Sequence, residues 1–106
     1  MEPTKLDYLV AECFCAENNG DFRDILQRYH GKPVTPDDTL QLRNKIAKEL
    51  LDFAARQNKA DLVDKDIAFM FARAELVYRI DFEHNIFQTY SYMDVVRWDL
   101  ILSQDN

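Results

Sequence analysis

The chain has 106 residues, of which 47% are hydrophobic and 30% are charged, and its formal net charge is −6. This length allows one domain, and this composition is typical of a folded globular protein and argues against a disordered chain. The negative charge weakens any expectation of nucleic-acid binding, because phosphate repels an acidic molecule at long range.

Residues that interrupt regular secondary structure are rare. Gly20 and Gly31 are the only glycines, and all three prolines precede residue 37. The seventy residues from Asp37 onward contain neither type, which favours helices over a turn-rich β fold. We therefore predict an all-α fold in which residues 1–106 form a single domain, a compact bundle of four or five helices.

Apolar residues at helical spacing predict a first helix over residues 4–18, with its apolar face formed by Leu6, Leu9, Val10, Cys13 and Phe14. The sequence Asn18-Asn19-Gly20 is expected to end this helix, because Asn and Gly tolerate the left-handed conformation. Asp21 is expected to cap a second helix over residues 21–30, and Gly31 to end it. The apolar face of this second helix consists of Phe22, Ile25, Leu26 and Tyr29.

The strongest local signal predicts the start of a third helix, over residues 36–57. Thr35 is a favourable N-cap, Pro36 suits the first helical position, and the two aspartates that follow complement the helix dipole. The apolar positions of this helix cover more than one narrow stripe, so we expect it to pack between other helices. Its outward side is predicted to carry Arg43, Lys45, Lys48 and Arg56.

A turn at residues 58–61, with Asp61 or Asp64 as the cap, is predicted to precede a fourth helix over residues 62–82. Its main apolar face is predicted to consist of Ile67, Met70, Phe71, Ala74, Val77 and Tyr78. Further apolar residues lie off this face, namely Phe69, Leu76 and Ile80. A helix that is apolar around so much of its circumference is either central in the fold or shared with a partner.

The last segment also suits strands, because it is rich in aromatic and β-branched residues. A lone strand would have nothing to pair with, so we predict a helix over residues 92–103, preceded by a less regular aromatic stretch. Eight of the thirteen aromatic residues fall within the last forty positions. This apolar surface either completes the core or faces a partner. Tyr, Trp, Met and Arg are residue types that are enriched in protein interfaces. On this basis we predict that the partner-binding residues are Tyr90, Tyr92, Met93, Arg97 and Trp98.

The sequence contains no convincing metal, cofactor or catalytic site. His30 and His84 are the only histidines, and neither has a second histidine three or four residues away. Cys13 and Cys15 point to roughly opposite sides of a helix, so we expect free thiols in a reducing cytoplasm, with Cys13 buried. A signal peptide and a membrane span are not expected.

Two alternatives from other functional classes stay open. Glu49, Asp52, Asp61 and Asp64 form two closely spaced acidic pairs, and helical pyrophosphatases that act on nucleotides hold Mg²⁺ with such pairs. Residues 27–60 contain seven bases and four acids, so a nucleic-acid binder would use the third helix. The simpler interpretation of these residues is a solvated helix face with surface ion pairs. The basic residues concerned are Arg28, Lys32, Arg43, Lys45, Lys48, Arg56 and Lys59.

The leading expectation is a small acidic protein–protein interaction module without enzymatic activity. An inhibitor, an immunity- or antitoxin-type protein, or an adaptor fits the length and charge. A net negative charge favours association with a basic protein partner. A second copy of the chain is an equally compatible partner. No small-molecule substrate is evident.

Overall fold

Helices dominate the fold. The computed structural model describes residues 2–89. Within them the helices are α1 (Lys5–Cys13), α2 (Gly20–Tyr29), α3 (Pro36–Arg56) and α4 (Lys65–Arg79), with a one-turn 3-10 helix at Ala60–Leu62. Two short antiparallel strands follow α4, namely β1 (Ile80–Asp81) and β2 (Ile86–Phe87). The helical prediction is therefore confirmed, and the small sheet is a feature that the all-α prediction lacked. Within residues 2–89, no helix combines the length and hydrophobicity that a membrane crossing requires.

The helix starts follow from local side-chain caps. The Thr35 hydroxyl accepts a hydrogen bond from the Asp38 backbone N–H, and the Asp38 carboxylate accepts one from the Thr35 N–H. The bond from the Thr35 N–H, together with one from the Thr35 hydroxyl, lowers the pKa of the Asp38 carboxyl. The Asp64 carboxylate accepts from the Ile67 N–H at 2.9 Å and caps α4. The predicted start of the third helix is confirmed. Of the two caps predicted for the fourth helix, Asp61 or Asp64, the structure has Asp64, and α4 begins at Lys65, three residues later than predicted.

The junction between α1 and α2 differs from the prediction. α1 ends at Cys13, five residues before the predicted end, and α2 begins one residue early with Asn19, not Asp21, as its N-cap. The Asn19 side-chain amide donates to the Cys13 carbonyl at 3.0 Å and to a Glu49 carboxylate oxygen at 2.9 Å. Because Asn19 satisfies the last carbonyl of α1 from outside the helix, it ends α1 early.

The hairpin after α4 corrects the predicted end of the fourth helix. α4 ends at Arg79, three residues earlier than predicted, because Ile80 adopts an extended conformation and pairs with Phe87. Asn85, with a φ of 53°, closes the turn in the left-handed conformation that Asn tolerates. The connector at residues 31–34 bonds to the other edge of β2 and to Asn85 beside it. β2 therefore has two partners, which the lone-strand argument did not anticipate.

The core is centred on α3, which packs against each of the other α-helices. The apolar faces predicted for the first three helices are buried or partly buried against the core, except that Leu40, predicted as an apolar position of the third helix, is exposed. Their fully enclosed side chains include Leu9, Val10, Phe22, Leu26, Leu42, Ile46 and Leu50. Phe14 and Phe22 stack with ring centroids 5.1 Å apart, which links the end of α1 to α2.

The apolar face predicted for the fourth helix is only partly correct: Ile67 and Phe71 pack against the core, but Ala74 and Tyr78 are exposed. Met70 and Val77, expected to point inward, are exposed, while Ala68, Ala72 and Leu76 are buried against the core. Small alanine side chains let the α4 backbone approach α3 closely, and this packing turns the larger apolar side chains outward. The reversal matters for function because it places apolar surface where a partner can reach it.

The two cysteines differ in burial as predicted. Both are free, Cys13 is fully buried and Cys15 is partly exposed. Burial raises the pKa of the Cys13 thiol, so its reactive thiolate form is suppressed. We expect one thiol of the native protein to react readily with a disulfide reagent, and both to react after unfolding. A Cys15→Ser variant should show almost no reaction in the native state, and undiminished native reactivity in that variant would contradict the assignment.

Candidate interaction groove

Four large apolar side chains are exposed around one groove between α3 and α4. Leu40 on α3 is 50% exposed, and Met70 and Val77 on α4 are 59% and 53% exposed. Phe82, in the hairpin turn, is 65% exposed. We define the α3–α4 groove by these four residues together with Arg43 and Arg73. Scattered apolar residues are normal on a surface, whereas a contiguous group of this kind is a candidate interaction site.

The groove consists of two adjoining depressions. Their volumes are about 480 and 350 Å³, and both are open to solvent. Arg43, Arg73 and Val77 line both, so the two depressions form one continuous surface. An open, elongated surface of this shape suits a peptide segment or a helix, since a small molecule needs a more enclosed pocket.

Arg43 gives the groove a polar centre. Its guanidinium lies over the Phe69 ring, 5.4 Å from the ring centroid, which holds the side chain along the groove. Its Nε is buried and makes no hydrogen bond within the part of the chain that the structure describes. Buried donors are nearly always paired, so this Nε is unusual among the described residues. The adjacent Arg73 adds a second positive charge, and Asp66 in the same depression adds a negative one.

The orientation of α4 depends on a buried ion pair as well as on its alanines. Arg79 donates from Nη2 and from Nε to one Glu75 carboxylate oxygen, at 2.7 and 3.0 Å. The two side chains are 3% and 0% exposed. Arg79 Nη1 also donates to the Thr89 carbonyl. These contacts hold the polar side of α4 inward, which the sequence pattern alone does not predict.

Glu49, a carboxylate of the enzymatic alternative, lies in a structural cluster. It is nearly buried, and one of its oxygens accepts hydrogen bonds from the Asn19 amide and from Arg56 Nη2, each at 2.9 Å. Arg56 also lies 3.5 Å from the Asp21 carboxylate. The hydrogen bond to Glu49 raises the pKa of Arg56. This cluster joins α2 to α3, with Glu49 nearly buried and with Arg56 and Asp21 at the surface.

The other three carboxylates of that alternative have separate environments. Asp52 forms an ion pair with Lys48 at 2.9 Å, and Asp64 caps α4. Asp61 is exposed in the 3-10 helix. Among residues 2–89, no group of three or more His, Cys, Asp or Glu side chains is arranged to hold a metal ion.

The basic face of α3 is engaged in contacts within the molecule. Lys45 donates to the Tyr29 hydroxyl at 2.8 Å and lies over the Tyr29 ring. Lys48 and Arg56 have the carboxylate partners described above. These contacts fit the simpler interpretation of α3 as a solvated face with surface ion pairs.

The predicted partner-binding residues cannot be compared with the groove directly. Tyr90, Tyr92, Met93, Arg97 and Trp98, and the predicted helix over residues 92–103, lie outside the described residues. That assignment stays a prediction. The groove itself was missed, although the sequence held a signal for it, because α4 is apolar on more sides than one core contact can cover.

Comparison with known proteins adds no second line of evidence. No protein-family model, curated protein or solved structure matched the chain. Within residues 2–89, the α3–α4 groove combines exposed apolar side chains with a buried donor that lacks a partner. It is therefore the best candidate for a functional site.

Proposed function

We propose that this protein is a small acidic protein–protein interaction module that binds its partner through the α3–α4 groove. The observation that carries the proposal is the exposure of Leu40, Met70, Val77 and Phe82 around the buried, unpaired Nε of Arg43. An inhibitor, an immunity- or antitoxin-type protein, or an adaptor would need such a surface and no catalytic group. Two free cysteines fit a reducing compartment such as the cytoplasm.

The groove favours a partner segment with apolar side chains and at least one carboxylate. The apolar residues would enter the two depressions, and the carboxylate would accept hydrogen bonds from Arg43 or Arg73. At longer range the net charge of −6 favours a partner that is basic overall. The two preferences are compatible, because long-range attraction sets the association rate and local contacts set the dissociation rate.

Burial of the apolar groove side chains by a partner would contribute to the free energy of binding. Full burial of a Val, Leu or Met side chain contributes about 1.5–3 kcal/mol, so completing the burial of a half-exposed one contributes roughly 1 kcal/mol. The contribution is concentrated at the middle of the groove, where Val77 lines both depressions. Central, fully covered residues dominate binding in most interfaces.

Replacing Val77 with aspartate is expected to weaken partner binding at least about tenfold, which corresponds to about 1.4 kcal/mol. The physical reason is the cost of burying a carboxylate against apolar side chains. Because Val77 is half exposed, the free energy of unfolding should change by less than about 1 kcal/mol. The measurement is quantitative affinity purification from native lysate with wild-type and variant baits, followed by titration of the enriched protein.

The matched control is Asn44→Asp, which adds the same charge at an exposed position on α3 outside the groove lining. It should retain every partner that the wild-type protein binds. Met70→Asp, in one of the two depressions that Val77 also lines, should behave like Val77→Asp. Equal enrichment of the same partners by all three variants and the wild type would rule out the groove as the binding site.

A further inference from the structure

Asn19 is the only asparagine in the chain that is followed by glycine. In an unfolded chain such a pair is chemically labile. The Gly20 backbone nitrogen attacks the Asn19 side-chain carbonyl carbon and bonds to it. The bond from that carbon to the side-chain nitrogen breaks, and ammonia leaves with the proton of the Gly20 nitrogen. Water then opens the cyclic imide to aspartate or isoaspartate. Glycine favours the attack because no side chain shields its nitrogen.

The native conformation keeps the two reacting groups apart. Asn19 is extended, with a φ of −128° and a ψ of 96°. Ring closure needs the Gly20 nitrogen on the same side of the Cα–C bond as the Asn19 Cβ. At the observed ψ this nitrogen lies on the far side, so the backbone must rotate before the attack can occur.

Hydrogen bonds also fix the Asn19 side chain, which is 5% exposed. Its amide nitrogen, the leaving group, donates to the Cys13 carbonyl at 3.0 Å and to Glu49 at 2.9 Å. Its oxygen accepts from the Phe22 N–H. The side chain can leave this position only when the junction between α1 and α2 opens. Deamidation of Asn19 therefore requires local opening of the fold.

The fold does not require glycine at position 20. Gly20 is the first residue of α2, and its φ is not in the left-handed region. A Cβ added there would meet only the end of the exposed Arg23 side chain, at 3.2 Å, and that end can move. Alanine is also favoured over glycine within helices. Gly20→Ala is therefore expected to keep the junction intact while it shields the attacking nitrogen.

Deamidation would not be undone when the junction closes again. An aspartate side chain at this position places a second carboxylate beside Glu49 and removes the donor to the Cys13 carbonyl. Isoaspartate lengthens the main chain by one carbon, which moves the capping oxygen of α2 away from the Phe22 N–H. Both products fit the junction less well than asparagine does, so the modified native state is less stable.

We propose that Asn19 is a spontaneous deamidation site that the native fold protects, and that opening of the α1–α2 junction converts the protein irreversibly into a less stable form. The native rate is then the rate in the unfolded chain multiplied by the fraction of molecules in which the junction is open. Asn19 thus records how often this junction has opened. The inference is independent of the proposed function of the α3–α4 groove.

Peptide mapping by mass spectrometry measures deamidation at each asparagine, in mildly alkaline buffer with and without guanidinium chloride. In the unfolded wild-type chain, Asn19 should deamidate severalfold faster than Asn44 and Asn58, each of which precedes a lysine. Gly20→Ala should lower the rate at Asn19 to that of these two controls. In the native wild-type protein, Asn19 should deamidate at least about tenfold more slowly than in the unfolded chain.

Refolding tests the consequence for stability. Wild-type protein that has been kept unfolded and then refolded should unfold at a lower urea concentration, and the deamidated fraction should account for the change. Gly20→Ala, treated in the same way, should keep its original urea midpoint.

Three results would overturn the proposal. The first is an equal rate of deamidation at Asn19 in the native and the unfolded protein, which would mean that the fold gives no protection. The second is an unfolded-chain rate at Asn19 that Gly20→Ala does not lower, which would remove the Asn-Gly pair as the labile site. The third is an unchanged urea midpoint for refolded protein in which Asn19 has been deamidated, which would mean that the junction accepts the product.

Discussion

Replacing Arg79 with methionine is expected to lower the free energy of unfolding by about 3–5 kcal/mol. The variant keeps much of the side-chain volume but removes the cation that pairs with the fully buried Glu75 carboxylate at 2.7 Å. It also removes the donor to the Thr89 carbonyl. Urea denaturation followed by circular dichroism measures the change. An effect of this size would be a large share of the stability of a domain of this length.

The matched comparison is Lys48→Met. Lys48 and Asp52 form an ion pair with the same i,i+4 spacing, but their side chains are 78% and 48% exposed. Exposed pairs of this kind contribute about 0.3–0.5 kcal/mol. Adding Glu75→Leu to Arg79→Met should recover much of the loss, because the buried carboxylate that has lost its Arg79 donors is then removed. Equal, small losses for Arg79→Met and Lys48→Met would contradict a buried, energetically important pair.

Replacing Asn19 with alanine is expected to cost about 2–4 kcal/mol. Its side chain caps α2, a contribution of about 1 kcal/mol, and pairs buried acceptors on Cys13 and Glu49, for which about 1–3 kcal/mol is expected. One residue thus joins the end of α1, the start of α2 and the middle of α3. Thermal and urea unfolding of the purified variant measure the loss.

Two further variants test that explanation of the role of Asn19. Asn18→Ala alters the exposed neighbouring residue and should change stability by less than about 0.5 kcal/mol. Asn19→Asp keeps a capping oxygen but places a second carboxylate against Glu49, so it should be at least as destabilising as alanine. A neutral Asn19→Asp would show that capping alone explains the role of this residue.

The predicted effect of replacing Arg79 also concerns the α3–α4 groove, because Arg79 helps to fix the orientation of α4. The pair of Arg79 with Glu75 keeps the polar side of α4 inward, and Met70 and Val77 are exposed in consequence. A variant that loosens this pair should therefore also disturb the groove. For that reason the tests of partner binding use exposed positions, where the fold is expected to tolerate the change.

The local features of the fold were open to prediction from the residues alone. Thr35 and Asp64 bond to backbone groups only three residues away, so their capping roles are visible in a short stretch of sequence. The buried faces of the first three helices were equally visible, because each has enough regularly spaced apolar side chains to identify it. The rarity of glycine and proline was sufficient to favour helices.

The α3–α4 groove and the elements around it depended on contacts between residues that are distant in the sequence. The end of α1 is set by Asn19, which is bonded to Glu49 thirty residues away. β2 is a strand because it pairs with β1 on one edge and bonds to the connector at residues 31–34 on the other. α4 has apolar residues on several sides, and packing selected the alanine side because it allows the closest approach to α3. The side left over, with Met70 and Val77, became the groove.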